Sequence, residues 1–146
     1  MYRRATLLPM RLLALIALLA AVGCGAGTSA PAAGSTGATD LKITYWTQGR
    51  DASPAKKWTL RCAPAGGTHT QAASACRKLG TMSNPFTPIP KDAVCTDQYG
   101  GPQVALVTGS FRGRTVWVQL ANRNGCEIAR FKRLSFLVPG YSGGEA

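Results

Sequence analysis

The sequence predicts an α+β domain, with about five antiparallel strands, one main helix packed on one face of the sheet, and two disulfides. Three observations predict it. Several short segments alternate apolar and polar residues with period two, as half-buried strands do. One segment, Thr70–Leu79, carries its apolar residues at helical spacing instead. Four cysteines lie in the folding part of a chain that opens with an export signal, the setting in which cysteines pair.

Leu41–Thr47 places Leu41, Ile43 and Tyr45 on one face and Lys42, Thr44 and Trp46 on the other, which makes it the first strand. Gly49–Ala55 holds Gly, Asp, Ser and Pro and reads as a turn. Lys57–Ala63 is the second strand and carries Cys62; Pro64–Thr68 is a loop. In Thr70–Leu79, Ala72, Cys76 and Leu79 share one helical face, Thr68 or Thr70 can cap the start, and Gly80 suits the C′ position. Cys76 then faces the strand that bears Cys62.

Thr81–Ala93 has three prolines in thirteen residues and no period, so it is a long loop, and such loops in small domains commonly carry function. Val94–Gly101 follows it directly. Gln103–Thr108 and Arg114–Ala121 form a hairpin, the latter alternating through Val116, Val118 and Leu120. Asn122–Gly125 is a turn, and Leu134–Val138 is the last strand.

The N-terminus sets the compartment. Residues 1–23 pair an arginine-bearing start (Arg3, Arg4, Arg11) with eleven apolar residues, Leu12–Val22. A permanent span needs about 20 apolar residues, so this is a cleavable signal. Ala21-Val22-Gly23-Cys24 resembles the bacterial lipobox, which implies that Cys24 receives a diacylglycerol and becomes the first mature residue. Two acyl chains give stable membrane attachment. The rest of 24–40 is a Gly/Ala/Ser/Thr tether whose sixteen residues span roughly 20–24 Å. The folded domain is expected over 41–140 and a polar tail over 141–146. The expected location is the outer face of the cell membrane, or the medium if Cys24 carries no lipid.

With Cys24 lipidated, Cys62, Cys76, Cys95 and Cys126 form an even set. Three connectivities are open, and local pairing, Cys62 with Cys76 and Cys95 with Cys126, is the one taken here. The absence of a C-x-x-C pair speaks against zinc and thioredoxin-like chemistry. One histidine in 146 residues excludes a His-rich metal site and a two-histidine catalytic apparatus. No cofactor is expected.

The formal charge is +11; with the three leader arginines removed, 14 basic residues face six acidic ones, a net charge of +8. The basic residues are scattered, with only Lys56-Lys57 and Lys132-Arg133 adjacent, and no basic-aromatic stripe points to nucleic acid. His69 reads as a structural hydrogen bonder where the loop meets the helix. Trp46, Trp58 and Trp117 read as packing residues of the core or of a dimer face, and Glu127 as a local acceptor.

Cys62-Ala63-Pro64-Ala65-Gly66-Gly67-Thr68-His69, followed by Ala75-Cys76 and Leu79, resembles the signature of the subtilisin-inhibitor-like family of actinobacteria, with Thr70 where that family usually has Pro. Cys95-Thr96-Asp97-Gln98-Tyr99 is similar to its reactive-site loop, and Asn124-Gly125-Cys126-Glu127 to its second bridge. The resemblance covers about residues 41–138, and the cysteine separations of 14 and 31 agree with local pairing.

The resemblance implies a standard-mechanism inhibitor of an extracellular serine protease, in which a preformed loop enters the active site as a substrate does. The loop would be Val94, Cys95, Thr96, Asp97, Gln98 and Tyr99, with Asp97–Gln98 as the scissile bond and homodimers as a further expectation. Subtilisin-type primary pockets are largely apolar, and burying the Asp97 carboxylate in one costs several kcal/mol unless it is paired. A protease that cuts after Asp or Glu would pair it. The other reading is a non-inhibitory envelope lipoprotein of the same fold that binds a protein or an anionic wall polymer through its basic surface.

Overall fold

A computed structural model describes residues 37–143. The signal, Cys24 and the tether up to residue 36 lie outside the described residues, as do residues 144–146. Four strands form one antiparallel sheet: β1 (Thr39–Trp46), β2 (Lys56–Cys62), β3 (Val104–Phe111) and β4 (Arg114–Leu120), in the order β2-β1-β3-β4. Two helices, α1 (Ala72–Gly80) and α2 (Gly125–Leu134), complete the fold, and a 3-10 turn at Ser135–Leu137 extends α2.

The register follows the period-two pattern. Ile43 pairs with Trp58 on one side and Val107 on the other, and Val107 pairs with Val118, so a row of apolar side chains crosses the sheet on one face. Leu41, Ile43, Tyr45, Leu60, Val107, Val116, Val118 and Leu120 are buried there. Ala75 and Leu79 of α1, Phe131 and Leu134 of α2, and Leu137 and Val138 beyond it join the same core. The opposite face is more open and presents Trp117 at 67% exposure. Trp46 lies under the Arg50 guanidinium, 5.2 Å from ring centroid to Cζ, while Trp58 packs against the core.

Two departures from the sequence reading concern the second half of the chain. The sheet has four strands among the described residues, and Leu134–Val138 is not a strand; it is the end of α2 and its 3-10 extension. Its buried residues, Leu134, Leu137 and Val138, continue a helical spacing from Phe131. A short apolar run bounded by Pro139-Gly140 fits a buried strand and a buried helix end equally well by pattern alone. There are also two helices rather than one, since α2 occupies the stretch between the turn and that run.

The start of α1 differs too. Gln71 is the N-cap, and neither Thr68 nor Thr70 caps it. Thr68 is held elsewhere: its Oγ1 accepts from the Thr59 N–H (2.9 Å), and its own N–H donates to Thr59 Oγ1 (3.1 Å). Gly80 is the last helical residue; Thr81 follows in αR conformation with its N–H on the Lys78 carbonyl (3.2 Å), and the Met82 N–H takes the Leu79 carbonyl (3.1 Å). The disulfides pair locally, Cys62–Cys76 tying β2 to α1 and Cys95–Cys126 tying the long loop to α2. No helix among the described residues is long and apolar enough to cross a membrane.

Candidate functional site

Residues 94–102 have no regular structure and run past the first turn of α2. Val94 is fully exposed; Thr96, Asp97, Gln98 and Tyr99 are exposed, Cys95 is half-buried, and Gly100 is buried. The residues named from the sequence for the loop therefore lie on one largely exposed stretch, with Asp97 and Gln98 between two anchors.

The incoming anchor is the Cys95–Cys126 bridge, with Cα atoms 5.3 Å apart, reinforced at Thr96. The Thr96 carbonyl accepts from the Gly125 N–H at 3.0 Å and from the Gln98 N–H at 2.9 Å, the second bond closing a three-residue turn around Asp97. Gly125 permits this approach, because a Cβ there would collide with Thr96 Oγ1.

The outgoing anchor is Gly100. Its N–H donates to the Asn122 carbonyl at 2.8 Å. A Cβ on Gly100 would stand 2.9 Å from Ile128 Cδ1 and 3.3 Å from Asn122 Cβ, so a side chain here would have to push the end of Ile128 aside. Asn122 is 1% exposed, and both ends of its amide are satisfied. Its Nδ2 donates to Gln103 Oε1 at 3.1 Å, and its Oδ1 accepts from the Tyr141 hydroxyl at 3.1 Å. Tyr141, the first residue of the C-terminal tail, stacks on Phe131 (3.9 Å, 9°) and meets Tyr45 edge-on (6.4 Å).

Both anchors rest on the start of α2. Asn124 is its N-cap, and its Oδ1 accepts from the Glu127 N–H at 3.0 Å. Glu127 reaches back to Arg123, taking the Nε–H at 2.9 Å, the Nη2–H at 2.6 Å and the backbone N–H at 3.2 Å. The Arg123 hydrogen bond is the main reason the Glu127 carboxyl lies below its ordinary pKa; burial opposes it. Asn-x-x-Glu is the capping-box spacing, so the local signal for α2 lies in a segment that otherwise reads as a turn.

Three arginines hold the proline-rich segment that leads to the loop, and a fourth, Arg112, holds the end of α1 just before it. Arg112 Nη2 donates to the Gly80 carbonyl (2.9 Å), Arg114 Nη1 to Asn84 Oδ1 (3.5 Å), Arg133 Nη2 to the Pro85 carbonyl (3.4 Å) and Arg130 Nη2 to the Phe86 carbonyl (3.2 Å). Phe86 meets Phe111 edge-on at 5.5 Å. Several of the basic residues that set the net charge are thus engaged with the protein's own backbone. Burial lowers the Arg130 pKa, with the neighbouring Arg133 charge acting in the same direction.

His69 is 5% exposed. Its Nδ1 accepts from the Gln71 N–H at 3.1 Å, which places the neutral ring's proton on Nε2. Nε2 faces the Phe136 and Leu137 carbonyls without reaching good hydrogen-bond geometry. Burial pulls its pKa below the usual value, and those two carbonyls oppose the shift. The ring joins α1 to the 3-10 turn, remote in sequence from the loop, and no group of three His, Cys, Asp or Glu side chains among the described residues could hold a metal ion. Sequence reasoning read Asn122 and Gly125 only as a turn and, for Gly125, as part of the second-bridge motif, and it did not find Gly100 or Tyr141; all four meet the loop only in three dimensions.

Residues 36–124 match the family described as subtilisin inhibitor-like. The chain is 34% identical over 110 residues to a probable subtilase-type protease inhibitor of Streptomyces avermitilis, covering 70% of this chain and 76% of that one. It is 35% identical over 106 residues to a subtilisin inhibitor of Streptomyces violaceus, covering 68% and 72%. Among solved structures, Streptomyces caespitosus sermetstatin in complex with Bacillus licheniformis subtilisin is similar at 23% identity and a TM-score of 0.45, over 72% of this chain and 100% of that chain.

Proposed function

This chain belongs to the subtilisin inhibitor-like family, and we propose on that premise that it inhibits an extracellular serine protease by the standard mechanism, through Val94–Tyr99 with Asp97–Gln98 as the scissile bond. One observation carries the reading. Asp97 and Gln98 are exposed between two fixed points, the Cys95–Cys126 bridge and the buried Gly100. A loop already held near its bound shape loses little conformational freedom on docking, so more of the contact energy appears as affinity. The same anchors hold the two ends together after the bond is cut, which favours its re-formation over release.

Asp97 sets the target class. As the residue before the proposed scissile bond, its carboxylate would enter the protease's primary pocket, and an apolar pocket would have to strip its water without replacing it. A pocket bearing an Arg or Lys replaces that water with a charge-assisted hydrogen bond. The favoured target is therefore a protease that cuts after Asp or Glu. Lipid on Cys24 would hold the inhibitor at the outer face of the membrane. A second copy would pack on the open face of the sheet around Trp117.

The test uses the chain from residue 25 onward, disulfides intact, against subtilisin, a trypsin-like protease and an acid-specific serine protease. Tight inhibition of the acid-specific enzyme is expected, with Asp97→Met shifting preference toward subtilisin by at least a hundredfold. No inhibition of any enzyme by either form would overturn the proposal and favour a non-inhibitory envelope role. For the anchor, Cys24→Ala is expected to release the full chain from the membrane fraction; retention after a high-salt wash would refute lipidation.

A further inference from the structure

The two halves of the loop are held by different means. The acyl side, ending at Asp97, is tied covalently through Cys95–Cys126. The amine side, starting at Gln98, has no covalent tie nearby; its first interior hold is the Gly100 N–H on the Asn122 carbonyl at 2.8 Å. Durable inhibition depends on both. In acylation the protease's serine oxygen attacks the Asp97 carbonyl carbon, the bond to Gln98 nitrogen breaks, and that nitrogen leaves as an amine with a proton from the enzyme's base. Religation is the reverse: the amine attacks the Asp97 acyl carbon, the serine oxygen leaves, and the proton returns to the base. Water attacking the same carbon releases the clipped form, which the protease can reseal only while the amine end stays within reach. Whichever nucleophile is held in place wins.

We propose that Asn122 and Tyr141 form a latch that keeps the severed amine end in register, acting as positioning residues for religation. Asn122 is fully buried, and its carbonyl can hold Gly100 only while its backbone stays where it is. Its amide is clamped from both sides, by Gln103 Oε1 and by the Tyr141 hydroxyl. Tyr141 is itself fixed by its stack on Phe131. The last described segment of the chain thus reaches back to govern the half of the loop that has no disulfide. The inference rests on the inhibitor reading and names what makes inhibition at that loop lasting.

Tyr141→Phe removes only the hydroxyl and keeps the stack. Intact variant and wild type are incubated with a catalytic amount of the inhibited protease, and intact and Asp97–Gln98-clipped forms are followed by mass spectrometry. The clipped-to-intact ratio at equilibrium is expected to rise about fivefold, the worth of one net hydrogen bond. Exchange of the Gly100 amide proton, measured without protease, is expected to quicken by a similar factor while amides of β1 and β3 stay as they were. An unchanged ratio and unchanged Gly100 exchange in a variant that melts as the wild type does would overturn the latch. Should wild type inhibit no protease, the inhibitor reading fails, and Gly100 exchange alone decides the latch.

Discussion

Replacing both cysteines of the Cys95–Cys126 bridge with alanine separates two roles of that bond. It closes a 31-residue segment, and in the chain-entropy model its removal costs about 3.7 kcal/mol. The Cys62–Cys76 bridge closes 14 residues and is worth about 3.0 kcal/mol on the same basis. The two double variants should thus lose similar stability, within about 1 kcal/mol of each other, by urea unfolding. Their loops should behave differently. Loss of Cys95–Cys126 leaves the acyl side held only by the Gly125–Thr96 hydrogen bond, whereas loss of Cys62–Cys76 loosens α1 from β2 and leaves both loop anchors in place. With both variants held more than nine-tenths folded at low temperature, the first should be clipped and exhausted by the target protease at least tenfold faster than the second. Equal clipping of the two at equal folded fraction would refute the reasoning, since the bridge would then act only through global stability.

Further outcomes follow from the same geometry. Asn124→Ala should cost about 1 kcal/mol through the lost N-cap, whereas Arg123→Ala, whose side chain is 67% exposed, should cost under about 1 kcal/mol, both by denaturant unfolding. Burial holds the His69 pKa below the 6.5 of the free side chain, so unfolding takes up a proton. Stability should accordingly rise with pH through that value and fall on the acid side until the folded histidine itself protonates. His69→Gln should flatten the profile across that window, and an unchanged slope in the variant would assign the titration elsewhere. Phe131→Ala, at a fully buried position under Tyr141, should cost about 3–5 kcal/mol by thermal or urea unfolding.

The first half of the fold is legible in the sequence because its signals are local. Leu41, Ile43 and Tyr45 alternate and are buried by that alternation, and Ala72, Cys76 and Leu79, read as one helical face, pack toward the core with Cys76 bridged to β2. The β3–β4 hairpin is legible for the same reason, but the stretch after it misleads for a physical one. Asn122–Gly125 carries strong turn residues, and Asn124 does end a connection, but as the cap of a helix whose apolar residues, Ile128, Phe131 and Leu134, recur every third position. Read without α2, the apolar run after it takes the pattern of a strand.

Residue type and spacing alone led to the expectation of a leader ending at a lipobox-like Cys24, and they place four cysteines at separations matching two local bridges with an Asp in a loop next to one of them. Those properties live in residue type and spacing along one dimension. Only the tertiary structure decided what the loop leans on. Gly100, Asn122, Gly125 and Tyr141 lie up to 41 positions apart, and their local sequence does not mark them as supports of the loop, because an anchor is defined by which backbone groups meet across the fold. A buried glycine against Ile128, a carbonyl offered by Asn122 and a tyrosine hydroxyl returning from the tail become one device only when the sheet and α2 bring them to the same place.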